Sequence, residues 1–143
     1  MNESSLSTYT PSELILARSQ AFSRGDFGFI YDSCHSESNF RRQFVERNEY
    51  LQFGQTNLVH DYQIINCQVL VENVEAQESQ VIFLMKMKVQ GQVQRYAERA
   101  WLLWENKAWR YHRGQKINEE DFPESPESIN IADFAKLDPA TIF

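Results

Sequence analysis

Val81-Ile82-Phe83-Leu84-Met85-Lys86-Met87-Lys88-Val89-Gln90-Gly91-Gln92 is the stretch on which the fold turns. Val81, Phe83, Met85, Met87 and Val89 recur at every second position, opposite Lys86 and Lys88, the period of a strand buried on one face. Gln90-Gly91-Gln92 then reads as a tight hairpin turn, glycine supplying a positive φ. Downstream, Arg95 to Glu105 is the next strand, Asn106-Lys107 its turn, and Ala108 to Arg113 the last. Upstream, Asp61 to Val74 is rich in Ile and Val, with Ile65, Cys67, Val69 and Val71 expected on one face. Glu75 to Ser79 is a polar turn. Together these segments predict an antiparallel meander of long strands.

Ahead of Gly54 the period is helical. Ser12 is placed to cap a first helix, Glu13 suits its first turn, and Leu14, Ala17, Arg18, Ala21 and Phe22 follow at helical spacing until Gly25. Asp26 can cap a second, short helix that carries Phe27, Ile30, Tyr31 and Cys34 on one face. A third begins near Ser36 or Ser38, carries Phe40, Phe44, Arg47 and Leu51, and is expected to end at Gly54. Helices followed by a meander predict an α+β domain with the helices covering one face of a curved sheet. Long strands coil, and a coiled sheet closed by helices leaves a cone with a pocket. Residues 1–116 are expected to form this single domain. Residues 117–143 read as an acidic tail, with a short helix at 129–137, that docks on the same domain or on a partner.

The charge is distributed to match that division. Of the net −6, −5 falls from Lys116 onward, where two lysines face seven acids, leaving −1 for the preceding 115 residues. A near-neutral globular part lacks the basic stripe that nucleic-acid binding needs. No apolar run approaches the roughly 18 residues of a membrane span. The polar stretch Met1 to Thr10 is not a secretory leader. Two cysteines, Cys34 and Cys67, indicate no disulfide framework, and a cytoplasmic location is expected.

Two motifs resemble a known family. Arg18-Ser19-Gln20-Ala21-Phe22, followed by Asp26, Phe29, Ile30 and His35, is one. Glu98-Arg99-Ala100-Trp101-Leu102-Leu103, then Glu105-Asn106, Trp109-Arg110-Tyr111 and Gly114, is the other. Over roughly Ile15 to Gly114 the chain is similar to the central domain of the YchJ family. That resemblance implies a nuclear transport factor 2-like (cystatin-like) cone. Family members usually carry flanking Cys-rich SEC-C segments that bind zinc. This chain has none, and its Cys34-His35-Ser36 stands where the family has Trp-His-Pro, so zinc is not carried over.

Few residues could carry chemistry. His35, His60 and His112 share no metal-ligand spacing, so no metal and no cofactor is expected. Glu98 lies mid-strand on the face of Leu102. If that face lines the cone, it is a partly buried carboxylate with a raised pKa and a possible base; otherwise it pairs with a neighbouring-strand cation or meets water. Arg18 shares a helical phase with Leu14 and Phe22. It could bind a carboxylate ligand, hold Glu98, or snorkel to the helix edge. His35 is a candidate proton-transfer group or a helix cap. Tyr31 and Tyr111 are candidate hydrogen-bond donors. Trp101 and Trp104 lie on opposite faces of their strand, and an outward aromatic suggests a partner surface, so a homodimer is expected. The function expected is a non-catalytic domain that binds a small molecule or a protein. The alternative is an isomerase, dehydratase or cyclase with Glu98 as base and His35, Tyr31 or Tyr111 as donors.

Overall fold

The computed structural model describes residues 6–143; the start of the polar stretch at Met1 to Thr10 lies outside them. Helix α1 (Pro11–Arg24) opens on a reciprocal cap. Thr10 Oγ1 accepts from the Glu13 N–H at 3.2 Å, and Glu13 Oε1 accepts from the Thr10 N–H at 2.9 Å. Thr10, not Ser12, is therefore the cap. Ser12 lies inside the first turn and donates its N–H to Glu72 Oε2 at 2.9 Å. Gly25, at φ 74°, ends α1, and Asp26 Oδ1 accepts from the Phe29 N–H to start α2 (Phe27–Asp32).

The expected third helix is two. Helix α3 (Asn39–Gln43), capped by Ser38, is separated from α4 (Arg47–Phe53) by a break at Phe44. The carbonyls freed there, of Phe44 and Val45, accept from the Tyr31 hydroxyl at 2.9 and 3.0 Å. Gly54 does not stop the helix either. Its φ is −60°, and the chain continues through a π turn (Gly54–Leu58) into α5 (Val59–Asp61). Its lack of a side chain serves close approach instead, since a Cβ there would sit 2.5 Å from Phe27 Cγ.

Strands β1 (Tyr62–Val74), β2 (Glu78–Val89), β3 (Gln92–Glu105) and β4 (Ala108–Asn118) form an antiparallel meander in chain order. Both tight turns have a positive φ at each central residue, Gln90 and Gly91 in one and Asn106 and Lys107 in the other. That twist matches the flanking strands. Helices α1–α4 cover one face, where Leu14, Ile15, Phe27, Phe29, Val81, Phe83 and Leu102 are buried.

Bulges change which side chains face the helices. In β1 they fall between Ile64 and Asn66 and between Val69 and Val71. As a result Ile64, Cys67 and Val69 pack toward the helices, Val71 packs on the opposite face, and Ile65 is left exposed. The single face expected for Ile65, Cys67, Val69 and Val71 is thus divided. In β4 one extra residue, His112, lies between the pairs Trp101–Arg113 and Leu102–Tyr111. A bulge absorbs one residue without reversing the strand beyond it. Tyr111 is turned to the same face as Gly114, Lys116 and Glu98.

Strand β4 runs past Gly114 to Asn118. The following chain, including α6 (Ile131–Ala135), lies on the sheet face opposite α1–α4. Ile129 and Phe134, each 1% exposed, pack there on Ile82, Ala97 and Ile117. Trp101 also faces this side, buried between the guanidiniums of Arg99 and Arg113 at 4.2 and 4.5 Å, so its cover comes from its own chain. Trp104 packs edge-on against Trp109 and stays partly exposed. No helix among the described residues is long and apolar enough to cross a membrane.

Candidate functional site

Between α1 and the helix-facing side of the sheet lies a cavity of about 330 Å³. Its wall is mostly apolar: Ile15 and Phe22 from α1, Phe83, Met85 and Met87 from β2, and the ring of Phe143. The polar groups that reach it include Arg18, Tyr96, Glu98 and Tyr111.

Glu98 is 5% exposed. The Tyr111 hydroxyl donates to its Oε2 at 2.6 Å. Lys116 is its cross-strand neighbour but forms no ion pair with it. The Lys116 ammonium lies instead over the rings of Tyr96 and Phe143, at 4.3 and 5.1 Å. Burial pushes the Glu98 carboxyl above the usual carboxylate range, against the Tyr111 hydrogen bond and the charges of Lys116 and Arg18. Burial and then Glu98 push the Tyr111 hydroxyl well above the normal tyrosine value, so it holds its proton. Gly114 makes room for this pair. A Cβ there would sit 2.5 Å from Glu98 Oε2 and 3.0 Å from Phe143 Cζ.

Arg18 comes from the middle of α1. Its Nη1 donates to the Ile30 carbonyl at 3.1 Å and to Ser33 Oγ at 2.6 Å, which ties α1 to the end of α2. Its guanidinium carbon stands 4.7 Å from the Tyr111 ring centroid. The side chain therefore does not snorkel outward, and it neither pairs with Glu98 nor with any other carboxylate among the described residues.

Arg18, Glu98 and Tyr111 are thus brought together around one cavity, whereas Tyr31 and His35 are not. The Tyr31 hydroxyl is spent on the break between α3 and α4. His35 lies outside the cone beside the edge of β4. There Nδ1 accepts from the Glu37 N–H at 3.0 Å and Nε2 stands 3.6 Å from Glu105 Oε2. The break that uses Tyr31 and the loop that carries His35 away have no periodic signature. Gly114 and Phe143 enter the site from strand pairing: Gly114 and Phe143 exchange backbone hydrogen bonds at 2.9 and 2.8 Å. No spacing in the sequence announces that contact. Among the described residues, no three His, Cys, Asp or Glu side chains are grouped to hold a metal ion.

A family profile for the middle, nuclear transport factor 2-like domain of YchJ matches residues 10–114. No curated protein matches the chain. Among solved structures, a SEC-C motif-containing protein from Rhodopseudomonas palustris is similar over 76% of this chain and 80% of its own, with 17% identity and a TM-score of 0.60. A protein of Exiguobacterium sibiricum described as a calmodulin-dependent kinase II association domain is similar over 82% of this chain and 95% of its own, with 14% identity and a TM-score of 0.54. At these identities the likeness is one of fold.

Proposed function

Because the chain belongs to the family of YchJ middle, nuclear transport factor 2-like domains, we propose that its cone is a non-catalytic binding site for one small apolar molecule, oriented by Glu98 and Tyr111. The observation that carries this reading is the buried Glu98–Tyr111 pair on the wall of a cavity of about 330 Å³. A few convergent polar groups in an apolar concavity are the usual make-up of a ligand site, and this volume lies at its small end. Glu98 Oε1 and the Tyr96 hydroxyl have no hydrogen-bond partner among the described residues, so a ligand can meet both.

One observation favours the alternative, an isomerase, dehydratase or cyclase: a carboxyl with a raised pKa facing a cavity beside a hydroxyl. The binding reading has more support. The Tyr111 hydroxyl is too weak an acid to relay a proton near neutrality, and no histidine lines the cavity.

The test is a calorimetric titration with 3-phenylpropanamide, an uncharged apolar probe, on wild type and on Met87→Trp, which fills the cavity mouth. Saturable binding of one probe per chain, lost in the variant, is expected. Absence of binding to wild type, or binding indifferent to the substitution, sinks the reading.

A further inference from the structure

Resting on that reading of the cone, we infer that its ligand is a small monocarboxylate, an apolar body with one acid group that docks on Arg18. The argument is one of charge. Among the side chains that line the cavity, the Arg18 guanidinium and the Glu98 carboxyl are the base and acid of strongest character, and the guanidinium is the one cation. Taking a guanidinium from water into an apolar wall costs several kcal/mol unless it is paired. Buried arginines accordingly sit on carboxylates or phosphates, whose geometry their fork matches.

Arg18 has no such partner. Only Nη1 is engaged, by the Ile30 carbonyl, Ser33 Oγ and Cys34 Sγ. Carbonyl, hydroxyl and thiol oxygen or sulfur atoms accept the protons but leave the positive charge uncompensated. Nε and Nη2 have no partner among the described residues, and neither is sealed away from accessible space. The Tyr111 ring lies under the guanidinium carbon, with its centroid 4.7 Å away, and with the bonds to Ile30 and Ser33 it keeps the Arg18 head at the cavity wall. The carboxyl of Glu98 on the same wall forms no hydrogen bond and no ion pair with Arg18. The rest of the wall, with Phe83, Met85 and Met87 on the sheet side and Ile15 and Phe22 on the helix side, selects an apolar body.

The experiment compares two probes of one shape, 3-phenylpropanoate and 3-phenylpropanamide, by calorimetry at neutral pH. A charge-assisted hydrogen bond in place of a neutral one makes the acid roughly tenfold tighter. In Arg18→Met, which keeps the stem and removes the charge, that preference falls to none; in Arg18→Lys part of it survives. The inference is overturned if wild type binds the amide as tightly as the acid, or if Arg18→Met still prefers the acid. The wild-type comparison decides alone should Arg18→Met fail to fold, given the bonds that Arg18 makes to α2. If wild type binds neither probe, the cone reading itself fails. If it binds the amide and discriminates against the acid, the cone reading stands and only the carboxylate is lost.

Discussion

At Glu98 the folded environment and water disagree about a proton. An acid whose pKa is raised on folding binds more protons in the native than in the unfolded state between its ordinary value, about 4.3, and its raised one. Stability therefore falls as pH rises through that window and is greatest below it. Urea midpoints measured from about pH 4 to about pH 8 should show this slope in wild type and lose it in Glu98→Gln. Equal slopes in both would show that the carboxyl is not held protonated by burial. Glu98 could be read from sequence because its own strand, β3, alternates without interruption on that side. Tyr111 is different: strict alternation back from Lys116 and Gly114 puts it on the far face, and only the extra residue His112 returns it to Glu98. A bulge leaves no mark in composition, so the residue type is visible while its facing is not.

The same holds among the elements. Asp26, Gly25 and the two tight turns are local chemistry, and the structure forms each where the residues ask for it. Gly54 looks identical in sequence to Gly25 but answers to a tertiary contact, the Phe27 ring. Both glycines resist a side chain, but for different reasons: Gly25 for its φ of 74°, Gly54 for the Phe27 ring. An alanine in the middle of a helix ordinarily stabilises by about 1 kcal/mol over glycine. Gly54→Ala should instead destabilise by about 1–3 kcal/mol, because its methyl group overpacks Phe27, and urea denaturation would read the difference. A stabilised variant would mean that the helix, not the contact, set this residue. The break at Phe44 is equally non-local, since Tyr31 from another helix holds the carbonyls it frees.

For the molecule as a whole, the decisive fact is that the sheet has two covered faces. Residues 119–143 occupy the face through which a homodimer was expected, so pairing there would have to displace Ile129 and Phe134. We propose that this segment and the cone unfold as one cooperative unit. Phe134→Ala should cost about 3–5 kcal/mol, a large part of an ordinary stability of about 5–15 kcal/mol, in a single transition followed by both fluorescence and circular dichroism. Separate transitions would make 117–143 an appendage. The spacing of Ile131, Phe134 and Leu137 announces the short helix, which forms at Ile131–Ala135, but nothing local in that acidic stretch announces the sheet face on which it docks.

The pairing of Phe143 with Gly114 also sets an order of events. A ribosome delivers this chain from its N-terminus, so α1–α5 and the first three strands emerge while Ile82 and Ala97 still face water. Their cover arrives with residues 129–134, and the last piece of cavity wall only with residue 143. In a growing chain the sheet is therefore an adhesive surface before it is an interior one. The wall of the cavity is complete only once Phe143 has paired with Gly114.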